Sequence, residues 1–95
     1  MQLARVVGSV VATRKEESMQ GIKLLVVRPL DEEGRESGNA IVSADAVGAG
    51  PGEIVLIAAG SSARQTQATD KKPVDSVILA IVDSWYVGEK EKYKK

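Results

Sequence analysis

Strands that are apolar on both faces constrain this chain more than any other feature of it. The segments LARVVGSVVAT, KLLVVRPL and SVILAIV place Val, Ile, Leu and Ala at successive positions rather than alternate ones. β-Branched residues at this density favour strand. A lone small barrel has one inside and one wet outside, and its strands should alternate cleanly between apolar and polar residues. A chain of 95 residues has no second layer with which to cover the outer face. Further copies of the chain are the expected cover, so the pattern predicts a homo-oligomer.

Strands are expected at roughly Gln2–Thr13, Ile22–Leu30, Asn39–Ala44 and Glu53–Ala59, with a fifth stretch, Asp75–Val87, long enough to bend or split. The turn segments EESMQG and DEEGRESGN separate the first three, and Gly34 and Gly38 supply freedom for positive φ. Residues Ser61–Gln65 suit one helical turn, with Ser61 as N-cap. The segment QTQATDKKP reads as a polar loop. Residues 88–95, GEKEKYKK in sequence from Gly88, read as a charged C-terminal tail, solvated or briefly helical, beyond a single domain over residues 1–87. Five short strands around an aliphatic core predict an all-β fold, a small OB-like β-barrel.

Composition removes several function classes. The chain has no His and no Cys, so a transition-metal site is not expected, and the side chain best suited to proton transfer near neutral pH is missing. Ser61 and Ser62 have no histidine to activate them. Asp45, Glu53, Asp75 and Asp83 show no spacing that favours acid–base catalysis; turn capping, or pairing with Arg5, Arg14, Arg28 or Arg64, accounts for them equally well. Thirteen basic and thirteen acidic residues balance to a net charge of zero. Such a balance argues against a nucleic-acid partner. A single-stranded nucleic-acid module stays as the alternative because an OB-like barrel suggests it, although the strands before Trp85 carry no aromatic on which to stack bases. No apolar run reaches membrane-spanning length, and MQLARVVGSVV lacks the form of a signal peptide, so the expected location is cytoplasmic, with no membrane partner.

Two clusters of tiny residues, GAGPGE (48–53) and GSSAR (60–64), flank the strand IVLIAA. A phosphate loop requires Lys-Ser/Thr after its last glycine, whereas Gly52 is followed by Glu53 and Ile54. A dinucleotide fingerprint requires a helix there, and a strand follows instead. No cofactor is expected. Ordinary turns and a surface of close contact between copies remain as readings of the two clusters.

MQLARVVGSVVATRK (1–15), GIKLLVVRPLDEEG (21–34), DAVGAGPGEIVLIAAGSSARQT (45–66) and PVDSVILAIVDS (73–84) together resemble the EutN/CcmL family, the vertex proteins of bacterial microcompartment shells. The resemblance implies a cyclic homopentamer that closes the corners of a polyhedral shell built from hexameric and pseudohexameric proteins, a structural role without catalysis. It further implies that Gly48, Ala49, Gly50, Pro51, Gly52 and Glu53 lie near the fivefold axis or a subunit contact. By the same token Ser61, Ser62 and Ala63 pack against a neighbour or line a central opening, and Arg64 meets a carboxylate, Glu53 or Asp45, across the interface. For the hexamer contact the exposed segments Arg14–Gln20 and Gln65–Pro73 are candidates, with the strand carrying Trp85 as an alternative. The segment WYVGEKEKYKK departs from the family pattern.

Overall fold

The computed structural model describes all residues 1–95. Five strands close into a barrel: β1 (Gln2–Val10), β2 (Leu24–Pro29), β3 (Ile41–Asp45), β4 (Ile54–Ala59) and β5 (Ser76–Ile81). Their order around the barrel is β1-β2-β3-β5-β4. Every neighbouring pair is antiparallel except β3 and β5, which run parallel through Ala44–Val77 and Asp45–Ile78. The all-β, five-stranded barrel expected from the sequence is the observed fold.

Burial alternates along β2, where Leu25, Val27 and Pro29 face inward and Leu24, Val26 and Arg28 are half-buried. Ala4, Val6, Leu25, Val27, Val55, Ile57 and Ile78 fill the barrel. The core is thus aliphatic, as the absence of Phe requires. A second cluster, of Ala44, Ala58, Ala63, Val74 and Val77, lies outside the barrel beneath the 3-10 turn Gly60–Arg64. A third, of Leu30, Ile54 and Val82, is flanked by Leu3, Leu56, Trp85 and Tyr93. Two of the doubly apolar strands, β4 and β5, thereby cover their outer faces with the chain's own turns. Strands β1 to β3 are covered only in part: Leu3, Leu24 and Ala44 join these clusters, whereas Val7 and Val42 stay 46% and 49% exposed.

Two elements differ from the sequence expectation, and the fifth stretch takes one of the two forms open to it. β1 ends at Val10 rather than Thr13, and Val11 is 88% exposed. The long fifth stretch splits into β5 and β6 (Ser84–Val87), divided at Val82–Asp83. The expected solvated tail or short helix is instead a strand, β7 (Lys90–Lys94), paired antiparallel with β6 as a separate two-stranded sheet. Its single tyrosine explains this: Tyr93 stacks on Trp85, its cross-strand partner, with ring centroids 5.3 Å apart.

Candidate assembly surface

The two small-residue clusters sit at opposite ends of β4. Six residues of strand separate them, so they stand roughly 20 Å or more apart. No single contact point holds both.

Two carboxylates shape the loop between β3 and β4. Asp45, with its side chain only 1% exposed, accepts the backbone N–H groups of Val47 and Gly48 at 3.1 Å and of Ala49 at 2.9 Å. An aspartate that gathers successive amides in this way closes a turn by its own side chain. Lys23 Nζ lies 3.8 Å from the same carboxylate. From the other end Glu53 Oε1 accepts the N–H of Gly50 at 2.5 Å, while Oε2 takes Lys95 Nζ at 2.6 Å. The Lys95 hydrogen bond first, and the Gly50 amide second, hold the Glu53 carboxyl below the usual glutamate range. Glu53 raises the Lys95 ammonium in return. Gly48 and Gly52 have φ of +77° and +78°, a region that L side chains rarely enter. Gly50 has no such φ, and an added Cβ would lie 3.3 Å from Glu53 Oε1, the end of a side chain that can shift by a few tenths of an ångström.

The ten residues expected at an interface or opening separate into two groups. Gly48, Pro51 and Gly52 are exposed and Gly50 and Glu53 are half-buried; Ser61, Ser62 and Arg64 are exposed too. Ala49 and Ala63 are not surface groups at all. Ala49 belongs to the barrel core, and Ala63 is sealed under its own turn against Ala44, Ala58, Val74 and Val77. Within the protomer both side chains are taken up by packing, Ala49 at 1% and Ala63 at 0% exposed.

The turn Gly60–Arg64 starts from Ala59, which makes no side-chain cap; Ser62 Oγ, not Ser61, donates back to the Ala59 carbonyl at 2.7 Å. Within the protomer Arg64 meets no carboxylate. Its guanidinium donates to the Val74 carbonyl at 3.1 Å and so ties the turn to the far end of the 65–73 loop. Beside it Arg64, Gln65, Thr66, Gln67 and Asp70 border a polar hollow of about 370 Å³. No apolar side chain lines this hollow, unlike the mostly apolar pockets that hold small ligands. No group of His, Cys, Asp and Glu is placed to hold a metal ion.

The β6–β7 hairpin, whose first strand carries the Trp85 offered as an alternative hexamer contact, reaches only the Glu53 end of this region and joins it to the turn after β2. Trp85 Nε1 donates to the Glu32 carbonyl at 3.0 Å, Lys92 pairs with Glu33 at 2.7 Å, and Lys95 grips Glu53. The WY pair and the isolated Tyr93 were the only signal available.

Comparison with known proteins fits this geometry. A family model described as ethanolamine utilisation protein EutN/carboxysome matches residues 1–83. The carboxysome shell vertex protein CcmL of Gloeobacter violaceus is 44% identical over 95 residues, covering all of this chain and 95% of that protein. Its solved structure matches with a TM-score of 0.95, covering 100% of this chain and 98% of that one. The microcompartment shell vertex protein EutN of Salmonella typhimurium is 40% identical over 95 residues, covering all of this chain and 96% of the relative. The pentameric microcompartment shell protein GrpN of Rhodospirillum rubrum matches at 45% identity with a TM-score of 0.83, covering 92% of this chain and 100% of the other.

Proposed function

This chain belongs to the EutN/CcmL family, and from that premise we propose that five copies of it form a ring that closes a corner of a bacterial microcompartment shell. The observation that carries this reading is full-length similarity to shell vertex proteins, joined to a close match with a pentameric shell protein. The role is structural and non-catalytic. A sheet of hexagonal units stays flat until fivefold corners are introduced, and a five-membered ring of tapered protomers supplies such a corner. The exposed valines Val7 and Val42 on the outer faces of β1 and β3 support burial against other copies.

Within the ring, the exposed residues Gly48, Gly50, Pro51, Gly52 and Glu53 at one end of β4, and Ser61, Ser62 and Arg64 at the other, lie at subunit contacts or the central opening. Their place at the two ends of one strand supports a β4 that runs along the contact. The hexameric and pseudohexameric shell proteins meet a further patch, for which the segments Arg14–Gln20 and Gln65–Pro73 are candidates and the strand carrying Trp85 is the alternative. Native mass spectrometry at low micromolar concentration tests the reading. A dominant pentamer is expected; a monomer or a hexamer overturns it.

A further inference from the structure

The β6–β7 hairpin is fastened to two separate loops of the barrel. At its root Lys95 Nζ bonds Glu53 Oε2 at 2.6 Å, and Oε1 of the same carboxylate holds the Gly50 amide. Along its length Lys92 Nζ bonds Glu33 Oε1 at 2.7 Å and Trp85 Nε1 donates to the Glu32 carbonyl at 3.0 Å, both in the turn after β2. Otherwise that turn is organised by its own Asp31, whose Oδ1 accepts the N–H groups of Glu33 and Arg35. Neither a hydrogen bond nor an ion pair joins residues 31–36 directly to the loop 48–53. The hairpin bridges them.

Few groups hold the hairpin itself. Its strands pair only with each other, as a sheet separate from the barrel. A two-stranded hairpin alone is marginal in water. Trp85 and Tyr93 bring its apolar contact, packing on the cluster of Leu30, Ile54 and Val82. The far end, Tyr86–Lys90, is exposed throughout. The Lys95 N–H donates to the Asp83 carbonyl at 2.8 Å, so Lys95 moves with the hairpin. A segment docked by one aromatic pair, one indole bond and two ion pairs opens at less than the free energy of global unfolding.

We propose that the hairpin is a strap with two states, docked and released, and that its docking couples the turn 31–36 to the loop 48–53. Every fastening favours the docked state, so a change at either loop shifts the other by the same free energy. Lys92, which touches only Glu33, acts on the Gly50 amide through Lys95 and Glu53; it is a positioning residue for a loop it does not meet. In the ring proposed above that loop lies at a subunit contact, and ordering it there would tighten the strap. This consequence rests on the fivefold reading, whereas the coupling does not.

Two charge-removing variants test the coupling, each read at the loop it leaves untouched. Lys92→Met keeps the apolar stem and loses the charge; Glu53→Gln keeps an acceptor for the Gly50 amide and loses the charge that Lys95 pairs with. Amide exchange by NMR and acrylamide quenching of Trp85 are measured in the protein as it assembles. Lys92→Met is expected to speed exchange of the Gly50 and Glu53 amides about threefold, with the β2 amides unchanged. Glu53→Gln is expected to make Trp85 more quenchable. Lys94→Met, at an exposed lysine without an ion pair, is expected to move neither signal. Exchange quickened by Lys92→Met only at Gly34 and Arg35 overturns the proposal, and so does an equal rise along β2, which would be loosening of the whole fold. Trp85 quenching unaltered by Glu53→Gln overturns it as well, because such coupling runs both ways. Failure of the fivefold reading would show in the mass of the unaltered protein and leaves these comparisons intact.

Discussion

The ammonium of Lys95 lies 2.6 Å from Oε2 of Glu53, across a separation of 42 residues, and joins the β6–β7 hairpin to the loop that precedes β4. Because Oε1 of the same carboxylate holds the Gly50 amide, one side chain fixes both the loop and the hairpin.

This tether has a pH window with two edges. The Glu53 carboxyl is held low, so its stabilisation is complete above the pKa of an unfolded glutamate and is lost as pH falls through the depressed value. The Lys95 ammonium is held high, so its share is complete below the pKa of an unfolded lysine and is lost as pH rises through the raised one. The link is intact between those limits. Lys95→Ala should move the Glu53 carboxyl up toward its ordinary value, measured by NMR titration. A Glu53 titration unchanged by that substitution would show that the Gly50 amide alone sets it.

Substitution of the loop glycines separates backbone demand from crowding. Gly48→Ala and Gly52→Ala place a side chain at positive φ and should each lower protomer stability by about 1–2 kcal/mol in urea unfolding. Gly50 carries no such φ, and its nearest obstacle is the end of the Glu53 side chain. Gly50→Ala should therefore cost the protomer little, and Gly50→Val should block assembly while the protomer keeps its fold. Intact pentamers of Gly50→Val would remove this glycine from the subunit contact.

The hairpin is docked by few groups and should detach as a unit. Tyr93→Ala removes the ring stacked on Trp85, an interaction worth about 0.5–1.5 kcal/mol beyond the buried area. Trp85 is the only tryptophan, so its fluorescence reports the change directly. A red-shifted, more quenchable emission is expected, with amide exchange in the barrel unchanged. An unshifted spectrum would mean that the Glu32 carbonyl and the Gly34 backbone hold the indole without Tyr93.

The barrel was legible in the sequence and the hairpin was not, for a physical reason. IVLIAA between two glycine-bearing turns is nearly all core, and its predicted range, Glu53–Ala59, differs from the observed strand by one residue. KEKYK has one apolar residue in five, and it becomes a strand only because Trp85 stands opposite Tyr93. That is a contact which local pattern does not carry. The same limit applies to the candidate surface. GAGPGE announces itself by composition, whereas Ala49 within it turns into the barrel core because Asp45 folds the loop back on itself. The parallel pairing of β3 with β5, again non-local, had no sequence signal.

Arg64 offers a simple contrast between a fastening within the protomer and one between copies. In the protomer it bonds a carbonyl, so Arg64→Ala should loosen the 65–73 loop at a cost of about 1 kcal/mol, seen as faster amide exchange there. If Arg64 also meets a carboxylate of the next copy, dissociation on dilution should shift as well. Dissociation at the unaltered concentration would confine its role to the loop.

A buried hydroxyl pair pins the β3–β5 end of the barrel. Ser43 and Ser76 are both enclosed, with their Oγ atoms 2.5 Å apart. Removing either one strands the other hydroxyl without a partner and should destabilise the fold by about 1–3 kcal/mol. Removing both leaves two methyl groups in an apolar setting, and the double variant Ser43→Ala/Ser76→Ala should be more stable than the sum of the singles predicts. Urea unfolding of the four proteins gives the coupling. Strict additivity would mean that each hydroxyl finds a second partner once its mate is gone, and the pair would then lose its role in fixing which residues of β3 and β5 face the core.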